Sequence, residues 1–472
     1  MKRLTVLMLI PCAWIALRGA PAPAAALNGS WEGAISIMGQ ELKFAVHFSE
    51  SEGTLKAAMD IPQQGAMGLP LTQVRRDGDR VHFELVAGPG VAVFDGVMAA
   101  GAIAGDFLQA GIKGTFRLAP RGENAAAPAP APAAPLPYRE EEVAVAHGEV
   151  KLSGTLTIPE GPGPFPAVIL ITGSGTQNRD EEIFGFKLFR VIADHLTRQG
   201  IAVLRCDDRA FGASGPAGDA TSADFAADVN AQARYLRERP EIDPQRVGLL
   251  GHSEGGLIAP LAQREGHFAF MVLMAGTSVK GEDVILEQMA RIARADGAAE
   301  KEIRRDVALQ KRIFSLLGDP RGERELGEII LAQARLGLEQ LSPEQRRAIT
   351  DAESYVQTMA KAQLLSLRSP WYRYFLAYDP VPALEALACP VLALFGEKDI
   401  QVIPAQNRPP MEKALRKGGN RDVTFRVFPG ANHLFQKAGT GSPSEYAALE
   451  KAFVPGFLET ISSWISEKTK HK

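Results

Sequence analysis

Between residues 27 and 119 apolar and polar positions alternate in short runs: Trp31-Glu32-Gly33-Ala34-Ile35-Ser36-Ile37, Leu42-Lys43-Phe44-Ala45-Val46-His47-Phe48 and Arg80-Val81-His82-Phe83-Glu84-Leu85-Val86. Turn sequences border them, at Ser51-Glu52-Gly53, Asp77-Gly78-Asp79 and Ala87-Gly88-Pro89-Gly90. Period two with turns of this kind predicts antiparallel hairpins. The glycines two residues before Phe107 and Phe116 suit close-set strands curling into a barrel. From Tyr138 onward the pattern changes. Continuous apolar runs at 166–171, 201–205, 246–250, 268–274 and 391–395 are separated by helix-periodic stretches such as 186–199 and 223–238. That alternation predicts an α/β fold, a mostly parallel sheet covered by helices on both faces. Residues from Lys280 to about Leu367 are charged, helix-periodic and strand-free, far too long for an ordinary connection. They read as a helical insertion between two strands of the sheet, placed as a cap over the site.

Two further segments set the domain boundaries. Residues 124–137 alternate Ala and Pro, which favours an extended polyproline spacer that packs no core. Met1-Lys2-Arg3, the apolar run from Leu4 to Leu17 and the small residues up to Ala26 have the layout of a secretory signal peptide. Leu9-Ile10-Pro11 before Cys12 is a poor lipidation signal. The chain therefore divides into a signal peptide (1–26), a small antiparallel β domain (27–119), a Pro/Ala-rich linker (120–138) and an α/β domain (139–472) with the insertion at about 280–367. The expected location is periplasmic or secreted. No later apolar stretch is long enough to span a membrane.

Composition adds exclusions. Lys+Arg 52 against Asp+Glu 55 gives a net charge of −3, unlike a strongly basic nucleic-acid binder. The 3 cysteines are too few for a disulfide scaffold, and no Cys/His spacing resembles a metal site. Cys206 and Cys389 read as buried thiols at strand ends. His47 and His82 read as strand-face side chains, not ligands. No metal or other cofactor is implied, and the sequence fixes no oligomeric state.

Gly251-His252-Ser253-Glu254-Gly255-Gly256 lies between the strand Val247–Leu250 and a helix-like segment. Strand, Gly-x-Ser-x-Gly turn and helix make the context of a nucleophile elbow, with Ser253 as the nucleophile. Its glycines are required because the strained turn leaves no room for side chains beside the serine. A serine hydroxyl needs a base, and the base an orienting acid. Here the chain order is Ser, acid, His. Only His267, His433 and His471 follow Ser253. His267 precedes any suitable acid and His471 sits in a charged tail, which leaves His433, in the loop after the strand Val423–Val427. The acid leaves the end of the strand 391–395: Asp399, with Glu397 as alternate. The oxyanion needs two backbone N–H groups. One is that of Glu254. The other comes from the loop Thr172-Gly173-Ser174-Gly175, with Ser174 as donor and Gly175 as alternate.

The charged loop from Arg205 to Gly215 reads as an internally paired brace beside the site, with anion binding as the alternative. Trp371, Tyr372 and Phe375, in an aromatic cluster after the insertion, are candidates to line a substrate pocket beneath the cap.

Residues 139–472 resemble the α/β-hydrolase superfamily, in particular exported bacterial carboxylesterases near its serine-aminopeptidase-like and dienelactone-hydrolase-like branches. The resemblance rests on Thr172-Gly173-Ser174-Gly175 with Gln177-Asn178-Arg179-Asp180, on Asp207-Asp208-Arg209 with Gly212 and Ser214, and on the elbow. It rests also on Ser369-Pro370-Trp371-Tyr372-Arg373-Tyr374-Phe375, on Gly396-Glu397-Lys398-Asp399 and on Asn432-His433. It implies an α/β-hydrolase sheet, a helical cap, and Ser253, Asp399 and His433 as triad; residues 27–119 look like the β module that precedes the hydrolase in some exported members. Ala210 departs from the pattern, since the related loop usually carries glycine there. The function expected is hydrolysis of small or medium acyl esters, small-molecule substrates, through an acyl-enzyme. The same triad would also serve a peptidase or an acyltransferase. A different reading makes the β module an envelope- or ligand-binding unit with the hydrolase as its body.

Overall fold

The computed structural model describes residues 27–120 and 136–470, apart from 38–39, 52–53, 62–65, 88–89, 100, 110–111, 217–218, 342, 348 and 350. The expected signal peptide and most of the Pro/Ala linker lie outside the described residues.

The alternating N-terminal runs form β1 (Gly29–Ile37), β2 (Gln40–Ser51), β3 (Thr54–Ile61), β4 (Ala66–Asp77), β5 (Arg80–Ala87), β6 (Gly90–Ala99), β7 (Ala102–Gln109) and β8 (Ile112–Pro120). Each pairs antiparallel with the next, and β1 pairs with β8 to close a barrel. Alternate residues point inward, among them Trp31, Phe44, Phe48, Phe83, Phe94, Phe107 and Phe116. Phe83 and Phe94 stack with ring centroids 4.7 Å apart. An eight-stranded barrel is just wide enough for side chains to fill it, and aromatic rings fill this one. Gly105 is needed where strands meet closely: a Cβ there would lie 1.9 Å from the Asp95 carbonyl oxygen. His47 bridges Ser30 (2.8 Å) and Asp60 (2.7 Å), and His82 bonds Asp95 at 2.6 Å. Both are strand-face histidines held from neighbouring strands.

The second unit begins with an antiparallel hairpin, β9 (Tyr138–His147) and β10 (Val150–Pro159). The strands β11 (Phe165–Ile171), β14 (Ala202–Cys206), β15 (Ile242–His252), β16 (Met271–Met274), β17 (Val391–Gly396) and β18 (Val423–Phe428) complete the sheet; β12 (Glu182–Ile183) and β13 (Phe186–Lys187) form a separate small hairpin. The order is β18-β17-β16-β15-β11-β14-β10-β9, with the run from β14 to β18 parallel. Val168, Leu170 and Val203 pack on one face with α1 (Leu188–Arg198) and α12 (Phe457–Lys468). Ala167, Ile169 and Leu204 pack on the other face with α2 (Ser222–Arg237), α3 (Gly255–Ala262), α10 (Val381–Glu385) and α11 (Pro404–Lys417). Burial on both faces explains why these strands read as continuous apolar runs.

The insertion consists of α4 (Gly281–Ala295), α5 (Glu300–Leu317), α6 (Glu323–Gln340), α7 (Pro343–Arg347) and α8 (Ala352–Arg368), followed by α9 (Pro370–Ala377). It has a small core of its own around Ile313, Leu316, Leu326, Ile330 and Leu367. Cys206 and Cys389 are buried free thiols. Among the described residues no helix is long and apolar enough to cross a membrane.

Candidate active site

Ser253 follows directly on β15 with φ +54°. A side chain rarely adopts that left-handed conformation, so the surroundings must enforce it. They do so by close packing. A Cβ at Gly251 would lie 2.0 Å from the Gly255 carbonyl oxygen, and one at Gly255 would lie 2.2 Å from the Ile171 carbonyl oxygen. The Ser253 N–H donates to the Met274 carbonyl at 2.8 Å, tying the turn to β16. The hydroxyl is thereby presented at the carboxyl edge of the sheet, where open α/β sheets bind ligands.

Asp399 follows β17 and His433 follows β18, so both leave the same edge as Ser253. The His433 Nδ1–H donates to Asp399 Oδ2 at 2.8 Å, and both residues are buried. The other Asp399 oxygen accepts the backbone N–H groups of Gln401 (2.8 Å) and Val402 (2.9 Å). A carboxylate fixed by these donors fixes the imidazole tautomer, leaving Nε2 without a proton and available as a base. Glu397, the alternate acid, is exposed and accepts from the Gly430 N–H at 2.8 Å. The His433 loop is held by buried Asn432, whose side-chain oxygen accepts from the N–H groups of Leu434 and Gln436.

Ser253 and His433 line one cleft of about 340 Å³, together with Ser174, Glu254, Trp371 and Phe375. Among the described residues no hydrogen bond joins the Ser253 hydroxyl to His433; their relation is that of two groups on the same cleft wall. Neither Lys nor Arg lines this cleft among the described residues. The N–H groups of Ser174 and Glu254 have no acceptor among the described residues, which suits them to receive an oxyanion. Gly175 (φ +94°) lines a separate small cavity behind the loop.

Trp371 and Phe375 stand one helical turn apart on α9 and stack with centroids 5.8 Å apart. Tyr372 is turned about 100° round the helix; its ring lies 6.0 Å from that of Trp371 and 6.5 Å from that of Phe314, against the core of the insertion. The Trp371 indole N–H donates to Glu254 Oε1 at 2.8 Å, and that oxygen also accepts from Ser222 at 2.6 Å. Helix α9 is thus fastened to Glu254, the residue after Ser253.

The sequence reading missed a buried pair beneath the site. Glu181 is fully buried with φ +45°. Its Oε1 accepts from the Gly173 N–H (2.7 Å) and from His252 Nδ1 (2.8 Å). The His252 Nε2–H donates to the His433 carbonyl at 3.0 Å. Burial opposes a charge on His252, but Glu181 beside it more than offsets this and holds the imidazole above its ordinary value. Both ring nitrogens face acceptors, which is the arrangement of an imidazolium. This pair connects the Gly173–Ser174 loop, the turn at Ser253 and the His433 loop. Glu181 stands in the run Asp180-Glu181-Glu182, where nothing separates a buried carboxylate from its exposed neighbours.

The charged loop after β14 is paired internally. Arg205 pairs with Asp180, Arg209 with Asp228 at 2.6 Å, and Asp207 with Arg179 at 2.7 Å. Ala210 sits at φ +70°, a left-handed conformation that glycine adopts more readily than alanine. Asp208 accepts from Thr172 Oγ1 (2.8 Å) and the Gln177 N–H (2.9 Å), bracing the loop that carries Ser174 from behind. Burial pushes its carboxyl up to about 8. Among the described residues no cluster of His, Cys, Asp and Glu forms a metal site.

A parallel sheet with a strained serine at the end of a central strand, and an Asp–His pair on the two strands beyond its neighbour, defines an α/β-type hydrolase. The alpha/beta hydrolase family model matches residues 168–449, and the chain belongs to that family. Esterase EstD of Thermotoga maritima is 27% identical over 318 residues, a match covering 66% of this chain and 65% of EstD. The Pyrococcus furiosus esterase Pf2001 covers 71% of this chain and 91% of its own, with 16% identity and a TM-score of 0.42. A proline iminopeptidase of Mycobacterium smegmatis covers 70% of this chain and 98% of its own, with 15% identity and a TM-score of 0.40.

Proposed function

We propose that the protein is an exported serine carboxylesterase whose triad is Ser253, His433 and Asp399. The observation that supports this reading is the Asp399–His433 pair, 2.8 Å apart, whose histidine lines one cleft with a serine at φ +54°. In the proposed reaction His433 Nε2 takes the Ser253 proton as Oγ bonds to the ester carbonyl carbon. The oxyanion is received by the N–H groups of Ser174 and Glu254. His433 then protonates the departing alkoxide, and the acyl group stays on Ser253. A water molecule, deprotonated by His433, attacks this acyl ester and regenerates the serine. Asp399 holds the tautomer throughout and stabilises the imidazolium.

The similarity to EstD supports ester hydrolysis, and a cleft without Lys or Arg suits an uncharged acyl group. The proposed export rests on the N-terminal basic, apolar and small-residue pattern. The test is hydrolysis of p-nitrophenyl butyrate and of a matching p-nitroanilide. The expected result is ester turnover reduced by about 10³-fold or more in Ser253→Ala. Undiminished turnover in that variant removes Ser253 as nucleophile, and an amide-active, ester-silent protein makes it a peptidase.

A further inference from the structure

The cap carries a second apolar hollow that shares two wall residues with the first. Helix α4 walls the cleft with Val284, Ile285 and Gln288. Ile285 and Gln288 also form the head of a groove of about 360 Å³ between α4 and α5. Its floor continues along α4 as Met289, Ile292 and Ala293, its far wall is Ile303 and Val307, and Asp306 stands at the rim. Positions 285, 288, 289, 292 and 293 share one face of a helix, because three- and four-residue steps bring side chains into line.

That face is unusual in being apolar and unfilled. A surface helix ordinarily turns its apolar stripe into a core. Of α4 only Gly281 and Val284 are fully buried; Ile285, which packs against the core of the sheet, Met289 and Ile292 are half-buried. The start of α4 is fixed in place, since a Cβ at Gly281 would lie 2.3 Å from the Phe375 carbonyl oxygen. The helix therefore holds its open stripe at a set position beside the cleft.

We propose that this groove receives the distal part of the acyl chain of an ester whose carbonyl lies at Ser253, which makes medium- and longer-chain uncharged acyl esters the preferred substrate class. The inference rests on the ester-hydrolase reading of Ser253. The shared wall selects the occupant: because Ile285 and Gln288 line both hollows, a chain that leaves the cleft beside them lies next to the groove. From Ile285 to Ile292 the floor runs about 10 Å at about 1.5 Å of rise per residue, so several methylenes fit beyond the cleft. Neither lining contains Lys or Arg among the described residues, and Asp306 at the rim pairs with Arg305 at 2.9 Å.

A fully buried methylene is worth about a fourfold gain in kcat/KM, and a half-covered one about twofold. The test compares p-nitrophenyl acetate, butyrate, octanoate and laurate, kept monomeric in solution, on the full-length protein. We expect kcat/KM to climb from acetate to octanoate. Met289→Trp fills the groove from α4 and Val307→Trp from α5. Each is expected to lower the laurate-to-acetate ratio by at least about tenfold, and circular dichroism melts identify a variant that fails to fold. A wild-type profile that peaks at acetate overturns the inference, as does an unchanged ratio in both folded variants. An unchanged ratio combined with a self-association that Met289→Trp abolishes assigns the stripe to a second copy and overturns it equally. Ser253→Ala separates the two levels: acetate turnover that survives it sinks the hydrolase reading, whereas serine-dependent turnover with an unaltered chain-length ratio sinks the groove alone.

Discussion

Replacing Glu181 by alanine tests how the site is held together. One carboxylate oxygen accepts both the Gly173 N–H and the His252 Nδ1–H, at 2.7 and 2.8 Å, and the residue is fully buried. Alanine leaves both donors without a partner where no bulk water reaches. Each such loss costs about 1–3 kcal/mol, so the expected destabilisation is about 4 kcal/mol, in the range found for breaking a buried ion pair. The melting temperature should fall by on the order of 10 °C. The pH dependence has a definite sign. His252 titrates above its ordinary 6.5 in the folded protein. The stability it contributes is complete below that value and is lost as pH rises through the higher folded value. The gap between wild type and Glu181→Ala should thus be widest in mild acid and narrow toward alkaline pH. Activity should fall as well, because Gly173 immediately precedes the proposed oxyanion donor Ser174. A complete oxyanion donor is worth about 10²–10³ in kcat, and a displaced one should lower kcat about 10- to 100-fold. Glu181→Gln keeps an acceptor and should fall between. Thermal melts from acid to alkaline pH, with p-nitrophenyl acetate kinetics, make the measurement. An alanine variant that melts with the wild type and keeps its kcat would refute the role assigned to Glu181.

Two further outcomes are expected. Asp399→Asn presents an amide to His433 Nδ1 and favours the wrong tautomer, so kcat should fall by on the order of 10⁴ with little change in KM; a loss below about tenfold on p-nitrophenyl butyrate would count against the acid. Asp208, raised to about 8 by burial, contributes stability that is present below its ordinary 3.8 and is lost as pH climbs through about 8. Asp208→Asn should flatten that part of the stability profile in calorimetry, and an unchanged slope would show that Asp208 ionises normally.

The layout of the site was readable where a local pattern encodes it. Period-two alternation marked the barrel, and apolar runs marked the buried strands from β11 to β17. Chain order and elimination single out Ser253, Asp399 and His433; the structure pairs Asp399 with His433 and sets Ser253 on the cleft wall beside His433. Local sequence does not encode contacts made only when distant segments meet. The β9–β10 hairpin went unnamed because Glu140, Glu141 and Glu142 interrupt its apolar rhythm; they are occupied in ion pairs with Arg190, Arg239 and Arg179. Glu181 and His252 were missed because their partners arrive from separate loops. Proximity in sequence groups Tyr372 with Trp371 and Phe375; in the structure its ring lies between Trp371 and Phe314 of the insertion.

The central claim is that Ser253 is the nucleophile activated by His433. Labelling with a fluorophosphonate, followed by mass spectrometry of the peptides, tests it most directly. The account predicts one adduct, on Ser253, absent from Ser253→Ala and formed far more slowly in His433→Ala. An adduct on another residue, or none on a protein that hydrolyses esters, would contradict it.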